Sequence, residues 1–146
     1  MSLRTRSTVT VLAVALLACG EPFQPLAHEV PTGASVRVTV APGEYRSGAS
    51  VPLIVRNLGD QHYIWNPCMR GLEVNAGLGW VAVAEPDRWC NALGWILHPG
   101  DRTQTTTDLD APLPPGEYRL RFGFSRRAGD FNVTDQQVSN PFTVTP

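Results

Sequence analysis

The sequence predicts an all-β, antiparallel β-sandwich of seven to nine short strands, and three observations carry that prediction. From Glu117 to Phe124 the chain alternates, with Tyr118, Leu120, Phe122 and Phe124 on one face and Arg119, Arg121 and Gly123 on the other. A period of two is the mark of a strand buried on one side. Turn signals built from Pro, Gly, Asn and Asp recur about every 8–12 residues beyond position 33. No amphipathic helical stretch interrupts that part of the chain, whose length suits one core.

The elements follow in order. Val36, Val38 and Val40 alternate with Arg37, Thr39 and Ala41 to give a first strand over Ala34–Ala41. Pro42-Gly43 turns the chain, and Tyr45–Gly48 leads into a strand over Ala49–Asn57. There Val51, Leu53 and Val55 face inward. Pro52 cannot donate to a ladder, so it is expected where this strand is at an edge or bulged. After the Asn57-Leu58-Gly59-Asp60 turn, His62–Asn66 forms a strand with Tyr63 and Trp65 on one face. Gly71–Asn75 and Trp80–Ala84 form a hairpin across Asn75–Gly79. Glu85–Gly94 is irregular, Trp95-Ile96-Leu97 is a short apolar run, and Arg102–Thr107 is a Thr-rich strand. The corner at Leu113–Gly116 opens the strand to Phe124. Phe131–Gln137 is ambiguous, and Val138–Thr145 is the last strand.

The 146 residues contain 12 Arg and no Lys, with a formal charge of −1, so composition gives no reason to expect nucleic-acid binding. The Arg residues alternate along strands and read as a solvated face. Residues 1–18 read as a signal segment: Arg4 and Arg6 precede an apolar run, Val9–Leu17, too short for a spanning helix of about 20 residues. The run ends Leu16-Leu17-Ala18-Cys19, which resembles the lipobox of bacterial lipoproteins. The resemblance implies a diacylglyceryl group on Cys19, membrane association through it, and residues 19–33 as a Pro-rich tether to a domain at 34–146. Gly20 in place of Asp would place the anchor at the outer membrane of a Gram-negative cell. An oxidising compartment then leaves Cys68 and Cys90 to form one disulfide. Closing a loop of about 23 residues contributes roughly 3 kcal/mol in the chain-entropy account.

From Val36 to Val144 the chain resembles the bacterial immunoglobulin-like domains of exported proteins. The matching pieces are Tyr45 and Gly48, Val51–Asn57, the Gly77–Val81 hairpin, Leu97–Gly100 and Leu113–Arg119. Leu113, Gly116 and Tyr118 are similar to the tyrosine corner of such sandwiches, in which the phenol bonds back to the preceding turn. The chain is similar also to the intracellular proteinase inhibitor family of Bacillus. These are fold motifs and bring no chemistry with them. The antibody-type cysteines are replaced here by Leu53 or Val55 and by Leu120.

All four Trp lie between positions 65 and 95. Trp65, Trp89 and Trp95 are the candidate partner surface for a protein or a glycan; Trp80 opens a strand and reads as core. The competing reading packs all of them around the disulfide. His62, Cys68, Met69, Cys90 and His98 show no metal-ligand spacing, and Asp108 and Asp110 lack the loop that a calcium site needs. No nucleophile elbow, activated Cys, carboxylate pair or phosphate-binding Gly loop is present, and no cofactor is implied. Asn132-Val133-Thr134 is an incidental sequon. The expected function is a non-catalytic, envelope-anchored binding or structural module. Two alternatives are kept. One is a proteinase inhibitor using Glu85–Gly94 or Ser125–Asp130; the other is a periplasmic metal-binding protein.

Overall fold

The computed structural model describes residues 35–91, 93–109, 112–126 and 135–146. Cys19, the signal segment, the tether, Asp110 and the Asn132 sequon lie outside the described residues, as does most of Ser125–Asp130. Within them the protein is all-β, with eleven strands. These are β1 (Val36–Val40), β2 (Glu44–Arg46), β3 (Ser50–Asn57), β4 (Tyr63–Trp65), β5 (Arg70–Asn75), β6 (Trp80–Ala82), β7 (Trp95–Leu97), β8 (Arg102–Asp108), β9 (Gly116–Phe124), β10 (Asp135–Val138) and β11 (Phe142–Thr145).

One sheet has the order β1-β3-β8 and the other the order β2-β11-β9-β5-β6, with β10 also on β9 and β4 paired to β7. The inward residues of β1 and β3 (Val36, Val38, Val40, Val51, Leu53, Val55) meet Leu72, Leu120, Phe122 and Phe124 of the opposite sheet in a single core. Each such side chain, fully buried, contributes about 1.5–3 kcal/mol. Period two therefore selects the inner face of every long strand except β8, whose inward residues are Thr103, Thr105 and Thr107.

Eleven strands replace the expected seven to nine because the chain breaks where registers shift. β10 and β11 run along the same side of β9 as one strand interrupted by a bulge at Ser139–Pro141. Val138 pairs with Arg121 and Phe142 with Tyr118, so four steps on one side match three on β9. The bulge turns Asn140 toward the other sheet. Its amide accepts from Val40 N–H at 2.8 Å and donates to Val40 carbonyl at 3.1 Å, closing the end of β1 as a strand would. β2 pairs with β11 in parallel, the one departure from the antiparallel plan among the described strands.

Pro52 does not lie at a sheet edge: β3 is the central strand of its sheet. Its missing donor falls just past the last β1 pair, Val40–Leu53. Ala41 N–H still donates to Pro52 carbonyl at 3.1 Å. The reciprocal bond, which Pro cannot make, is replaced by the Tyr45 hydroxyl donating to Ala41 carbonyl at 2.6 Å.

The Tyr118 hydroxyl donates to Pro114 carbonyl at 2.8 Å, spanning the Pro-Pro-Gly turn that opens β9. Burial pushes its phenol above the ordinary value of 10.0. A raised native value favours the neutral form, so the contribution is complete below pH 10.0 and is lost as pH rises above it. Tyr118→Phe is expected to lower stability by about 1 kcal/mol at neutral pH. It should also flatten the decline above pH 10.0, as read by thermal unfolding across that range. An unchanged alkaline decline would remove Tyr118 as its source.

Candidate functional site

The site is built where β4 passes into β5. Ile64 bridges Ser125 and Arg70 pairs with Phe122, so six steps of this segment match three of β9. The surplus is ejected as a bulge that carries Pro67, Cys68 and Met69. Asn66 fixes its start: the side-chain oxygen accepts from Cys68 N–H at 2.9 Å. The amide nitrogen donates to the carbonyls of Asn91 and Leu93 at 2.8 and 3.2 Å. The bulge is therefore tied to the segment that follows β6.

A covalent bond completes the tie. Cys68 and Cys90 form the expected disulfide, with Cα atoms 5.7 Å apart. Residues 84–91 have no regular secondary structure, yet they are held at several points. Glu85 takes two bonds from the Arg70 guanidinium, at 2.7 and 2.9 Å. Arg88 reaches Glu85 at 3.3 Å and Cys68 carbonyl at 3.2 Å. Downstream, Gly94 approaches β4 so closely that a Cβ there would lie 2.3 Å from Ile64 Cγ2. β7 then pairs with β4, Trp65 opposite Trp95 and Ile64 opposite Ile96. Asn57, buried at the end of β3, secures this ribbon by donating to Leu97 carbonyl at 3.1 Å.

The held segment exposes apolar groups. Trp89 is 93% exposed, and Met69, Leu93, Trp95 and Ile96 are exposed beside it in the chain or across the disulfide; they are five of the eight large apolar side chains so exposed among the described residues. Scattered singly, such groups need no explanation; gathered on one stapled region, they do. Beside residues 86–89 lies an open cleft of about 580 Å³ against β8, lined by Pro67, Asp87, Arg88, Trp89, Thr106 and Asp108.

The three predicted partner-surface residues separate. Trp89 and Trp95 reach solvent. Trp65 does not: it is 2% exposed. Its ring stacks on Phe124 at 5.9 Å and meets Phe122 and Trp95 edge-on at 5.7 and 6.0 Å. Its place on the inward face of β4 makes it core. Trp80, expected in the core, lies on the outer face instead. β6 pairs it with exposed Asn75, and the Arg119 guanidinium sits 4.5 Å from its ring centroid. Tyr118 is remote from this region and structural.

Sequence reasoning passed over Arg70 by grouping the arginines as a solvated face. Its side chain has no exposure. The signal was present: Arg70 is in phase with Leu72 and Val74, so period two points it inward. Thr107 Oγ1 accepts from its Nε at 2.8 Å, and Asp108 carbonyl accepts from its Nη2.

The serine hydroxyls serve structural hydrogen bonds. Ser47 Oγ accepts from Leu113 N–H at 2.7 Å, and the Ser139 hydroxyl donates to Asn140 carbonyl at 2.7 Å. The disulfide occupies both sulfurs that a metal could use as thiolates. Among the described residues no group of three or more His, Cys, Asp or Glu is placed to hold an ion.

No family model matches the chain, and no curated protein matches it. Among solved structures it is similar to a β-glucosidase from Listeria innocua in complex with glucose, with 17% identity and a TM-score of 0.38 over 76% of this chain and 16% of that one. A mutant form of the Listeria innocua β-glucosidase in complex with laminaribiose gives 15% identity and a TM-score of 0.36, over 88% and 20%. The chain thus spans a fifth or less of the length of these proteins. Likeness at this level assigns neither a family nor an activity.

Proposed function

We propose that the protein is a non-catalytic, immunoglobulin-like binding module of the cell envelope, anchored through Cys19, with the Cys68–Cys90 region as its contact surface. The observation that carries this reading is Trp89, almost fully exposed on a segment held by a disulfide, an ion pair and three side-chain bonds to backbone. Rigid scaffolding beneath an exposed aromatic is the arrangement of an interface anchor, because little conformational entropy is lost when it binds. The two-sheet strand order and the Tyr118 corner support the immunoglobulin-like part. The disulfide fits an exported protein, and the lipobox supports the anchor.

Photo-crosslinking in intact cells tests the surface. A crosslinker at position 89 is expected to give defined adducts that one at the equally exposed hairpin tip, Leu78, does not. Trp89→Ala should leave stability within about 0.5 kcal/mol of the parent, since its ring is in water. Identical adduct patterns from positions 89 and 78 would count against the surface. The same irregular, stapled segment also suits a proteinase inhibitor; a covalent or tight protease adduct at position 89 would select that reading over a general binding module.

A further inference from the structure

Sheet edges are open templates for pairing, and proteins ordinarily shorten, cap or cover them. Several edges here follow that rule. β2, β6 and β7 have three residues each and β10 has four. β1 is closed at Val40 by Asn140. β8 is different. It runs seven residues in unbroken register with β3, has no Pro or bulge, and pairs with no other strand among those described.

The phase of its ladder identifies the groups left over. Leu109 N–H donates to Ala49 carbonyl at 3.0 Å. In that register Thr103, Thr105 and Thr107 direct their main-chain groups at β3. Gln104 and Thr106 therefore direct theirs outward. Asp108 carbonyl also faces outward and is taken by Arg70. The cleft beside Trp89 opens along this same edge at Thr106 and Asp108. Its charge is acidic in balance. Asp87 has no ion-pair partner among the described residues and Asp108 only the Ser50 hydroxyl, whereas Arg88 is paired with Glu85.

We propose that β8 accepts an extended segment of a partner protein as an added strand, a segment that carries a basic residue and an apolar one. Its backbone would bond to Gln104 and Thr106, its apolar side chain would pack on Trp89, and its basic group would face Asp87 and Asp108. At about 3.3 Å per residue, six to seven residues cover the edge. The proposal rests on the reading of Trp89 as a contact residue.

The probe is a phage-displayed library of random 12-residue peptides, selected on the disulfide-bonded protein, with the selected peptides then synthesised. Enrichment of peptides with Arg or Lys in an alternating apolar pattern is expected. Gln104→Pro removes only an outward-facing donor, which a strand edge tolerates, and should weaken binding about tenfold or more, the worth of one main-chain bond. N-methylation of alternate peptide amides should do the same without touching the protein. No enrichment, or peptides indifferent to both changes, overturns strand addition. Peptides lost on Trp89→Ala but kept on Gln104→Pro also overturn it, while leaving the Trp89 surface standing. Peptides lost on Gln104→Pro but kept on Trp89→Ala support the edge and remove the Trp89 surface. A dimer that sediments as monomer in Gln104→Pro assigns the edge to a second copy and overturns the proposal.

Discussion

Arg70→Ala is expected to destabilise the protein by about 3–5 kcal/mol, the range for breaking a buried ion pair from one side. The side chain has no exposure and its guanidinium joins three parts of the fold: β5, which it opens; Glu85 of the stapled segment; and Thr107 with Asp108 on β8. Removing it leaves the Glu85 carboxylate with only Arg88, at 3.3 Å, and leaves buried Thr107 without this donor. A carboxylate stripped of its closest cation and an unmet acceptor each carry a desolvation penalty. The paired change Arg70→Met with Glu85→Leu should recover part of the loss, because the carboxylate goes too; it cannot recover the bonds to β8. Chemical denaturation with the disulfide intact measures all three proteins. A loss under about 1 kcal/mol for Arg70→Ala would show that water reaches the pair. The loss should also appear locally, as faster proteolysis within residues 84–91, since Glu85 is then no longer tied to β5 and the segment keeps only the Arg88 bonds and the disulfide near its end.

How far this was legible in the sequence depended on the range of the interaction. Alternation over Glu117–Phe124 specified both the strand and its inner face, since a period of two admits one buried set. The Tyr118 corner was legible because its partner is four residues away. Counting cysteines gave the disulfide once Cys19 was set apart. Sheet membership was not legible. Pro52 reads as an edge or bulge residue, yet sits in a central strand in regular register because Tyr45 supplies the missing donor from across the turn at Pro42-Gly43. Trp80 reads as core because it opens a strand; only the pairing with Asn75 reveals that its phase is outward. The β4–β5 bulge depends on matching Ile64 and Arg70 to β9, over fifty residues downstream. Periodicity within one strand carries no information on such pairings.

Trp65 and Trp89 put this distinction to a direct test, because composition and proximity in sequence treat them alike. Trp65→Ala is expected to lower stability by about 3–5 kcal/mol, the range for deleting a large aromatic from a core. It would empty the space between Phe122, Phe124 and Trp95, three rings within 6.0 Å of its own. Trp65→Phe should recover much of that. Its smaller ring keeps a stack on Phe124, and it removes an indole N–H that has no hydrogen-bond partner among the described residues, a group whose burial is itself unfavourable. Trp89→Ala carries neither penalty. Urea denaturation of the three variants should therefore order them Trp89→Ala, Trp65→Phe, Trp65→Ala from least to most destabilised. Intrinsic fluorescence should lose a solvent-exposed component only in Trp89→Ala. A Trp65→Ala protein as stable as its parent would mean that β4 and β7 do not close over the aromatic cluster. The stapled region would then lack the rigid base from which Trp89 is presented.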